Sequence, residues 1–255
     1  METAFSSATA PEFLKLLAHD LRWQIVSLLA HSDYNGQEFI RLLGQPQNLV
    51  SYHLRKLHAQ RLVTEHRSTA DERSIYYSLD LETVRSLYRR AGVSLHPALG
   101  LNEEPPPPVT VQSGQRPQRV LFLCTENSAR SQIAEALLRH LSGGQIAAFS
   151  AGSLPTSVHP LARQVLEARG IGTQDLRAKS FDEFAGQTFD AIVTVCDRVR
   201  ESCPSFPGDP ESIHWSLPDP VKVQGSLEER LQSFEQTASQ LTTRLRFLLV
   251  LFERI

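Results

Sequence analysis

The stretch Cys124-Thr-Glu-Asn-Ser-Ala-Arg-Ser131 follows a short apolar run at residues 120–123 and precedes an amphipathic segment at residues 132–141. This order predicts a strand, a tight loop and a helix. A loop at such a junction directs backbone N–H groups and the positive end of the helix dipole toward one point. A cysteine there is shifted toward the thiolate, which is the nucleophilic form of the side chain. An arginine six residues later can return as a planar fork for a tetrahedral oxyanion.

The loop is therefore predicted to be an oxyanion pocket with a nucleophile at its floor. Cys124 is the candidate nucleophile, and Ser131 is placed to donate a hydrogen bond to its thiolate. The predicted oxyanion-binding residues are Thr125, Glu126, Asn127, Ser128, Ala129, Arg130 and Ser131. The alternative is a buried structural cysteine beside a helix. The strand-to-helix setting, together with Asn127 and Ser131, makes that alternative the weaker one.

The composition of the chain is that of an ordinary globular protein. It has 255 residues, of which 41% are hydrophobic and 21% charged, and its net charge is −2. Such a charge predicts no general attraction to nucleic acid or membranes, and no apolar run has the length that spans a bilayer. Residues 1–10 lack the features of a signal peptide, so we expect a cytoplasmic protein. Three cysteines, all after residue 120, then indicate thiol chemistry rather than structural disulfides.

A break in the pattern divides the chain near residue 100. Residues 97–118 contain six prolines and two glycines, which favour an extended, semi-rigid spacer over a helix or a central strand. We therefore predict an N-terminal domain at residues 1–96, a proline-rich linker at residues 97–118 and a C-terminal domain at residues 119–255.

The N-terminal part shows the element order of a winged helix-turn-helix. Apolar periodicity predicts helices at about residues 11–18, after the cap Asp20, from Asn35 to Gly44, and at residues 47–60. Two short strands around a polar tip at residues 67–73 predict a β-hairpin wing. Asp80 is predicted to cap a closing helix that ends near residue 91. This domain should therefore be mainly α.

The solvent face of the fourth helix carries amides and hydroxyls that suit base edges in a major groove. Basic residues of this helix and of the hairpin suit phosphates. The predicted DNA-binding residues are Gln47, Asn48, Ser51, Tyr52, Arg55, Lys56, Arg67 and Arg73. The alternative is a solvated surface that only mediates dimer contacts. Charge does not decide between them, because Lys plus Arg outnumber Asp plus Glu by only 11 to 10 in residues 1–100.

Three segments of this part resemble the ArsR/SmtB family of dimeric repressors: Ala18-His-Asp-Leu-Arg-Trp-Gln-Ile-Val-Ser-Leu-Leu29, Val50-Ser-Tyr-His-Leu-Arg-Lys-Leu57 and Ile75-Tyr-Tyr-Ser-Leu79. The resemblance covers residues 11–92 and implies a homodimer that binds operator DNA. It departs at residues 31–39, where metalloid sensors of that family carry a cysteine pair and this chain has none. The closing helix also lacks the ligand pairs of zinc-sensing relatives, so we expect no metal site here.

The C-terminal part alternates strands and helices, which predicts an α/β domain with a parallel sheet covered on both faces. Four strands are predicted at residues 120–123, 145–149, 189–195 and 212–215, and helices at residues 131–141, 159–169 and 227–252. Ligands of such sheets lie at the carboxyl ends of the strands. We therefore expect one rim of the sheet to bring together Cys124, Ser150, Cys196 and Asp219.

Residues 119–253 resemble the low-molecular-weight protein tyrosine phosphatase fold and, within it, the thioredoxin-coupled arsenate reductases. The matching segments are residues 124–135, Ser150-Ala-Gly152, Thr194-Val-Cys-Asp-Arg-Val-Arg-Glu-Ser-Cys-Pro204, His214-Trp215 and Asp219-Pro220. The resemblance implies a nucleophile, an oxyanion clamp, a general acid and a resolving thiol pair, which are Cys124, Arg130, Asp219, and Cys196 with Cys203.

Two further thiols separate a reductase from a phosphatase. A phosphatase hydrolyses its phosphocysteine with water, whereas a reductase needs a second thiol to attack Cys124 and a third to carry the disulfide to thioredoxin. Cys196 and Cys203, with six residues between them on a predicted loop, can serve these steps. The alternative is that both are small apolar fillers. Gln132 and Val221 also favour the reductase, because tyrosine phosphatases of this fold usually have proline and tyrosine there.

Some positions depart from the reductase pattern. Glu126 stands where glycine is usual and Ala129 where cysteine is common, and a glutamate that faces the pocket would weaken oxyanion binding. Reductases of this type can bind potassium near the loop, at a site that this chain matches in part with Asn127, Glu135 and Ser150. Phe181 stands where the remaining carboxylate is expected, so the resemblance leaves potassium open and no metal ligand is assigned from the sequence.

We therefore expect a fusion of an ArsR-like regulator with an arsenate reductase-like enzyme. Its expected partners are operator DNA, arsenate or another tetrahedral oxyanion, and thioredoxin as the reductant, with no membrane and no tightly bound cofactor. One rival is a phosphatase that acts on phosphotyrosine or another phosphoester. Another is a transcription factor whose second half only senses an oxyanion or the redox state.

Overall fold

The computed structural model describes residues 9–71, 73–96, 99 and 116–252. The chain divides into two compact units, one assigned Met1–His66 and Ile75–Glu103, the other Arg67–Ser74 and Glu104–Ile255. The predicted linker at residues 97–118 lies for the most part outside the described residues. The domain boundaries drawn from it therefore stay a prediction.

The first unit is mainly helical, as predicted. Its described helices are α1 (Glu12–Leu17), α2 (Asp20–Leu29), α3 (Gly36–Leu43), α4 (Gln47–Ala59) and α5 (Leu81–Leu95). Its strands are β1 (Tyr34–Asn35), β2 (Val63–Arg67) and β3 (Ile75–Leu79), in the sheet order β1-β3-β2. The strands β2 and β3 form the predicted hairpin. Strand β1 was not predicted, because two residues are too few to show an alternating pattern.

Local polar groups fix the ends of α3 and α5. The Asn35 side chain accepts the Glu38 N–H at 3.0 Å, and the Glu38 carboxylate accepts the Asn35 N–H at 2.9 Å. This reciprocal pair is a capping box. Gly44, with φ of 62°, ends α3 in the left-handed conformation that glycine adopts readily. Asp80 caps α5 as predicted, accepting the Thr83 N–H at 2.9 Å.

The start of α2 differs from the prediction. His19 is the capping residue, and its Nδ1 accepts the Leu21 N–H at 3.2 Å. The predicted cap Asp20 is instead the first helical residue, where its negative charge complements the helix dipole. The helices enclose a core whose fully buried side chains include Ile25, Phe39, Leu54, Leu57 and Leu62.

The second unit contains the predicted four-stranded parallel sheet. Its strands are β4 (Arg119–Cys124), β5 (Ala147–Gly152), β6 (Ala191–Thr194) and β7 (Glu211–His214), in the order β5-β4-β6-β7. The described helices are α6 (Arg130–Leu141), α7 (Pro160–Glu167), α8 (Asp197–Glu201) and α9 (Leu227–Phe252). Two 3-10 turns lie at Phe181–Phe184 and Pro220–Lys222.

Strand β4 is the central element of this sheet. Its residues 120–123 are completely buried, which explains the continuous apolar run in place of an alternating one. The parallel register pairs Phe122 with Ser150 and Cys124 with Gly152. Strand β5 therefore runs to Gly152, past the predicted end at residue 149. The sequence does not indicate this extension, because serine, alanine and glycine at residues 150–152 carry little strand propensity.

The final helix, α9, covers the core with one face. Phe234, Ala238, Leu241 and Leu245 recur every three or four residues and are buried. Across the described residues, no helix combines the length and the apolar character needed to cross a membrane.

Gly152 lies where β5 meets the loop after β4, and it leaves no room for a side chain. A Cβ there would lie 2.6 Å from the Thr125 carbonyl oxygen and 2.8 Å from the Asn127 backbone nitrogen. We predict that Gly152→Ala lowers the free energy of unfolding by about 1–3 kcal/mol, because backbone atoms of the loop must shift. Urea unfolding measures this change.

Gly172→Ala is the matched control for this prediction. Its Cβ would meet only the end of the flexible Gln174 side chain, at 2.9 Å. A Gly152→Ala protein as stable as the control would show that the close approach of β5 to the loop does not constrain residue 152.

Candidate active site

The nucleophile loop, defined as residues 124–131, connects the end of β4 to the start of α6. Helix α6 begins at Arg130, so the predicted strand-loop-helix order is confirmed. The loop turns at Asn127, whose φ of 50° is left-handed, a conformation that asparagine tolerates better than most residues. Its backbone N–H donates to the Cys124 sulfur at 3.1 Å. The loop thus wraps around the sulfur, as expected for an anion-binding turn.

The Cys124 side chain is only 3% exposed, and its Sγ lies 2.8 Å from the Ser131 hydroxyl. Burial is the largest influence on the thiol and raises the pKa of Cys124, and charge on Cys196 raises it further. Arg130, Ser131 and Asn127 act in the opposite direction, but the net shift of the pKa is upward. The predicted shift of Cys124 toward thiolate is therefore wrong for this structure, because desolvation outweighs the loop donors.

Arg130 and Asp219 form an ion pair beside the sulfur. Arg130 is 7% exposed, and its Nη2 donates to the Asp219 Oδ2 at 2.9 Å. Its Nη1 donates to the Leu217 carbonyl oxygen at 2.9 Å. Asp219 is half-buried, and its Oδ1 accepts the Val221 N–H at 3.2 Å. These bonds hold the guanidinium at one edge of the loop. An incoming anion must displace the Asp219 carboxylate to bind the same guanidinium.

The other two cysteines lie at the two ends of α8. Cys196 is 1% exposed, and its Sγ is 3.5 Å from the Thr125 Oγ1 in the nucleophile loop. Cys203 is exposed, and all three cysteines are free thiols. The predicted loop between Cys196 and Cys203 is wrong in part, since Asp197–Glu201 form a short helix. Five residues are too few for apolar periodicity to reveal it.

A buried polar cluster holds the start of α8. Asp197 accepts hydrogen bonds from the Ser216 hydroxyl and from His214 Nε2, the latter at 3.2 Å. The His214 Nδ1 lies 2.8 Å from the Thr194 hydroxyl. Burial favours a neutral carboxyl, but the bonds from His214 and Ser216 keep the pKa of Asp197 well below its usual range. The cluster fixes the residue after Cys196, and it forms through contacts between segments that are distant in the sequence.

The mouth of the site carries charges of both signs. Glu126 is exposed, lines the cavity and accepts a hydrogen bond from the Ser128 hydroxyl at 3.3 Å. Ala129 also lines this cavity, as do the basic residues Arg198 and Lys222. Sequence reasoning missed both basic residues, although each lies within three residues of a predicted catalytic residue. Ser150 is buried within β5 and does not line the cavity, but its hydroxyl accepts from the Asn127 Nδ2 of the nucleophile loop at 2.8 Å.

The predicted DNA-binding residues lie on the surface of the first unit's α4 and of the hairpin. Gln47, Asn48, Tyr52, Arg55, Lys56, Arg67 and Arg73 are exposed, and Ser51 is half-buried. The Lys56 ammonium lies 5.6 Å from the centre of the Tyr52 ring, which orders both side chains on α4. Opposite this surface, Val50, Leu54 and Leu57 are buried, so α4 has the amphipathic orientation that the sequence predicted.

Two family models match the chain. Residues 119–254 match the family described as low molecular weight phosphotyrosine protein phosphatase, and residues 19–65 match the bacterial regulatory protein, arsR family. Among similar proteins, an arsenate reductase of Halalkalibacterium halodurans is 32% identical over 127 residues, covering 50% of this chain and 91% of that protein. An arsenate reductase of Bacillus subtilis is 30% identical, with the same coverage.

A solved arsenate reductase from Archaeoglobus fulgidus is 28% identical, with a TM-score of 0.43, and the match covers 51% of this chain and 98% of that one. The family match spans more than half of the chain and includes the nucleophile loop, α8 and Asp219. The chain therefore belongs to the low molecular weight phosphotyrosine protein phosphatase family, and a region that matches the arsR family model precedes that domain.

Proposed function

We propose that the second unit reduces arsenate to arsenite through a relay of Cys124, Cys196 and Cys203, and that the first unit binds operator DNA. The observation that carries the proposal is the position of Cys196. Its sulfur lies 3.5 Å from the Thr125 Oγ1 of the nucleophile loop, and Cys196 lines the same cavity as Cys124. A hydrolytic phosphatase has no need of a second thiol at that position. The similar proteins named arsenate reductases support the same function.

In the first step, the Cys124 thiolate attacks the arsenic of a bound arsenate and an oxygen leaves as water. Arg130 and the loop N–H groups stabilise the negative charge on the oxyanion. Arsenate that binds the Arg130 guanidinium competes with Asp219, whose Oδ2 lies 2.9 Å from the Arg130 Nη2. The exchange frees the Asp219 carboxyl, and in its protonated form that carboxyl gives the leaving oxygen its proton.

In the second step, Cys196 attacks the Cys124 sulfur and breaks the bond between sulfur and arsenic. The two electrons of that bond stay with arsenic, which passes from As(V) to As(III) and leaves as arsenite. The two thiols are oxidised to a Cys124–Cys196 disulfide, so electrons balance. Cys203 then attacks Cys196, releases Cys124 and forms a Cys196–Cys203 disulfide.

In the last step, thioredoxin reduces the disulfide between Cys196 and Cys203. Cys203 is exposed, whereas Cys124 and Cys196 are buried. A protein reductant cannot reach a buried sulfur without structural change. Thioredoxin is therefore expected to attack the disulfide at the exposed sulfur of Cys203.

A phosphatase is the second candidate, and the family match favours it. Cys124, Arg130 and Asp219 would serve phosphoester hydrolysis with the same first step. The two reactions differ only after the covalent adduct forms, so the need for Cys196 and Cys203 distinguishes them.

The first unit is proposed to act as a homodimer on operator DNA. Leu14 on α1 and Tyr88, Val93 and Leu95 on α5 are large apolar side chains that are 41–81% exposed. Burial of this surface between two copies would place two α4 helices on related half-sites of a palindromic operator.

We predict that Cys196→Ser and Cys203→Ser each abolish multiple turnover of arsenate, because the adduct or the first disulfide can no longer be resolved. The measurement is NADPH consumption with thioredoxin and thioredoxin reductase. Ser202→Ala, beside Cys203, is the control and should keep wild-type turnover. Full arsenate turnover in either cysteine variant would contradict the relay.

Glu126→Gln is predicted to lower the KM for arsenate about fivefold with little change in kcat. A like charge about 4 Å from the anion opposes its binding by about 1 kcal/mol in surroundings similar to water. Steady-state kinetics at low and high salt measure this, and the difference should shrink at high salt. Glu201→Gln on α8 is the control, since Glu201 is exposed and outside the cavity lining. An unchanged KM at low salt would show that Glu126 does not oppose the anion.

Arg55→Ala is predicted to weaken DNA binding about equally for all sequences and to lower the salt slope by about 1, as loss of one phosphate contact does. Asn48→Ala should instead change the sequence preference. Duplexes selected by the wild-type protein from a random pool serve as probes. Lys15→Ala on α1 is the control. Failure of the wild-type protein to select any duplex would refute DNA binding by this unit.

A further inference from the structure

A buried carboxylate lies beneath the nucleophile loop. The Glu135 side chain, on α6, is 7% exposed. Its Oε2 accepts hydrogen bonds from the Ser150 hydroxyl and, at 3.0 Å, from the Lys179 ammonium. Its Oε1 accepts from the Arg139 guanidinium at 2.6 Å. A carboxylate buried this deeply is costly unless a positive charge accompanies it.

Lys179 supplies the buried positive charge. Its side chain is 9% exposed, and its Nζ donates to the Glu135 Oε2 and, at 3.1 Å, to the Arg177 carbonyl oxygen. Arg139, the other partner of Glu135, has a side chain that is 46% exposed. The Arg177 guanidinium is exposed and pairs with Glu183 at 2.6 Å.

Hydrogen bonds connect this ion pair to the nucleophile. The Ser150 hydroxyl, which donates to Glu135, accepts from the Asn127 Nδ2 at 2.8 Å. The same Nδ2 donates to the Ser131 hydroxyl at 2.8 Å, and that hydroxyl lies 2.8 Å from the Cys124 sulfur. The backbone N–H of Lys179 also donates to the Asn127 Oδ1, at 2.7 Å. Lys179 therefore holds the loop through both its side chain and its backbone.

The oxygens around Lys179 show whether the potassium ion implied by the resemblance could bind here. Carboxylate and carbonyl oxygens are the ligands of hard cations, and Glu135 Oε2 and the Arg177 carbonyl are of that kind. Both already accept from the Lys179 ammonium, a monovalent cation close to potassium in size. The Asn127 Oδ1 accepts from the Lys179 N–H and from the Gln132 side chain. The buried Gln132 Oε1 is the acceptor of this cluster that has no partner among the described residues, and one amide oxygen is too few to hold a cation. The residues present thus do not fit an added potassium ion.

We propose that the Lys179 ammonium is a tethered cation that replaces potassium beneath the nucleophile loop and positions Asn127 and Ser131 around Cys124. Lys179 is a positioning residue, since it neither contacts Cys124 nor lines the cavity, and it acts through Asn127. The inference concerns the shape of the loop and holds for either oxyanion, arsenate or phosphate. Its tests therefore need no turnover, and they separate its failure from a failure of the proposed reaction.

The first test is thermal unfolding in potassium, ammonium, sodium or tetramethylammonium chloride at constant ionic strength. The wild-type Tm should be the same in all four salts. Lys179→Ala should melt lower, and potassium or ammonium should restore part of the loss, whereas tetramethylammonium is too large to enter. Arg139→Ala is the matched control, because it removes the exposed partner of the same carboxylate and should show no recovery specific to one cation. A wild-type Tm that rises specifically with potassium would overturn the proposal.

A double variant keeps the test decisive if Lys179→Ala or Lys179→Met fails to fold. Glu135→Gln with Lys179→Met removes both charges, so it should be more stable than Lys179→Met alone and indifferent to potassium. A double variant no more stable than the single one would show that Lys179 does not act through the charge of Glu135.

The loop itself is monitored by alkylation of Cys124 in a Cys196→Ser/Cys203→Ser background, which leaves one thiol in the chain. The pH dependence of the alkylation rate gives the pKa of Cys124. Lys179→Met in this background should raise the pKa of Cys124, because Asn127 and Ser131 are no longer held in place around the thiolate, and potassium should lower that pKa again. An unchanged midpoint in Lys179→Met would refute a positioning role for Lys179.

Discussion

The nucleophile loop depends on the side-chain amide of Asn127. An amide offers two N–H donors and two acceptor lone pairs, and Asn127 uses all four. Its Nδ2 donates to Ser131 and Ser150, and its Oδ1 accepts from Gln132 and Lys179. These bonds offset the cost of the left-handed backbone at this residue, where φ is 50°. They tie β5, α6 and the segment before the first 3-10 turn to one loop.

This arrangement gives the site its electrostatic character. The same packing that shapes the loop buries Cys124, so burial raises the pKa of the thiol while Arg130 and the loop donors lower it. Arg130 is itself paired with Asp219, and Arg198 and Lys222 line the mouth of the cavity. An anion that enters therefore meets the positive charges of Arg130, Arg198 and Lys222, and the carboxylates of Glu126 and Asp219 oppose it.

Much of this architecture could be predicted from the sequence, because the relevant signals are local. The apolar run before Cys124 indicates a buried strand, and the glycine after α3 indicates a helix end. The alternation of strands and helices is a series of such local signals. The predicted cap Asp20 is wrong because His19 and Asp20 are neighbours that can both accept a hydrogen bond from the first turn of α2. In the folded chain His19 is the residue that does so. Helix α8 and strand β1 were too short for any periodicity.

The remaining features arise only from contacts between distant segments. Asp197, His214 and Ser216 meet because β6 and β7 are neighbours, and Lys179 reaches Glu135 across 44 residues of sequence. The direction of the Cys124 pKa shift also depends on burial, which the loop sequence does not reveal. Such contacts follow from tertiary packing, so they become visible only in the folded chain.

We propose that arsenate reduction draws its electrons from the thiols of this chain. The most direct measurement is a single turnover: reduced protein is mixed with arsenate in the absence of any reductant, and arsenite, free thiols and disulfide connectivity are determined. We expect one arsenite per chain, the loss of two thiols and a disulfide between Cys196 and Cys203. Arsenate left unreduced with all three thiols intact would contradict it.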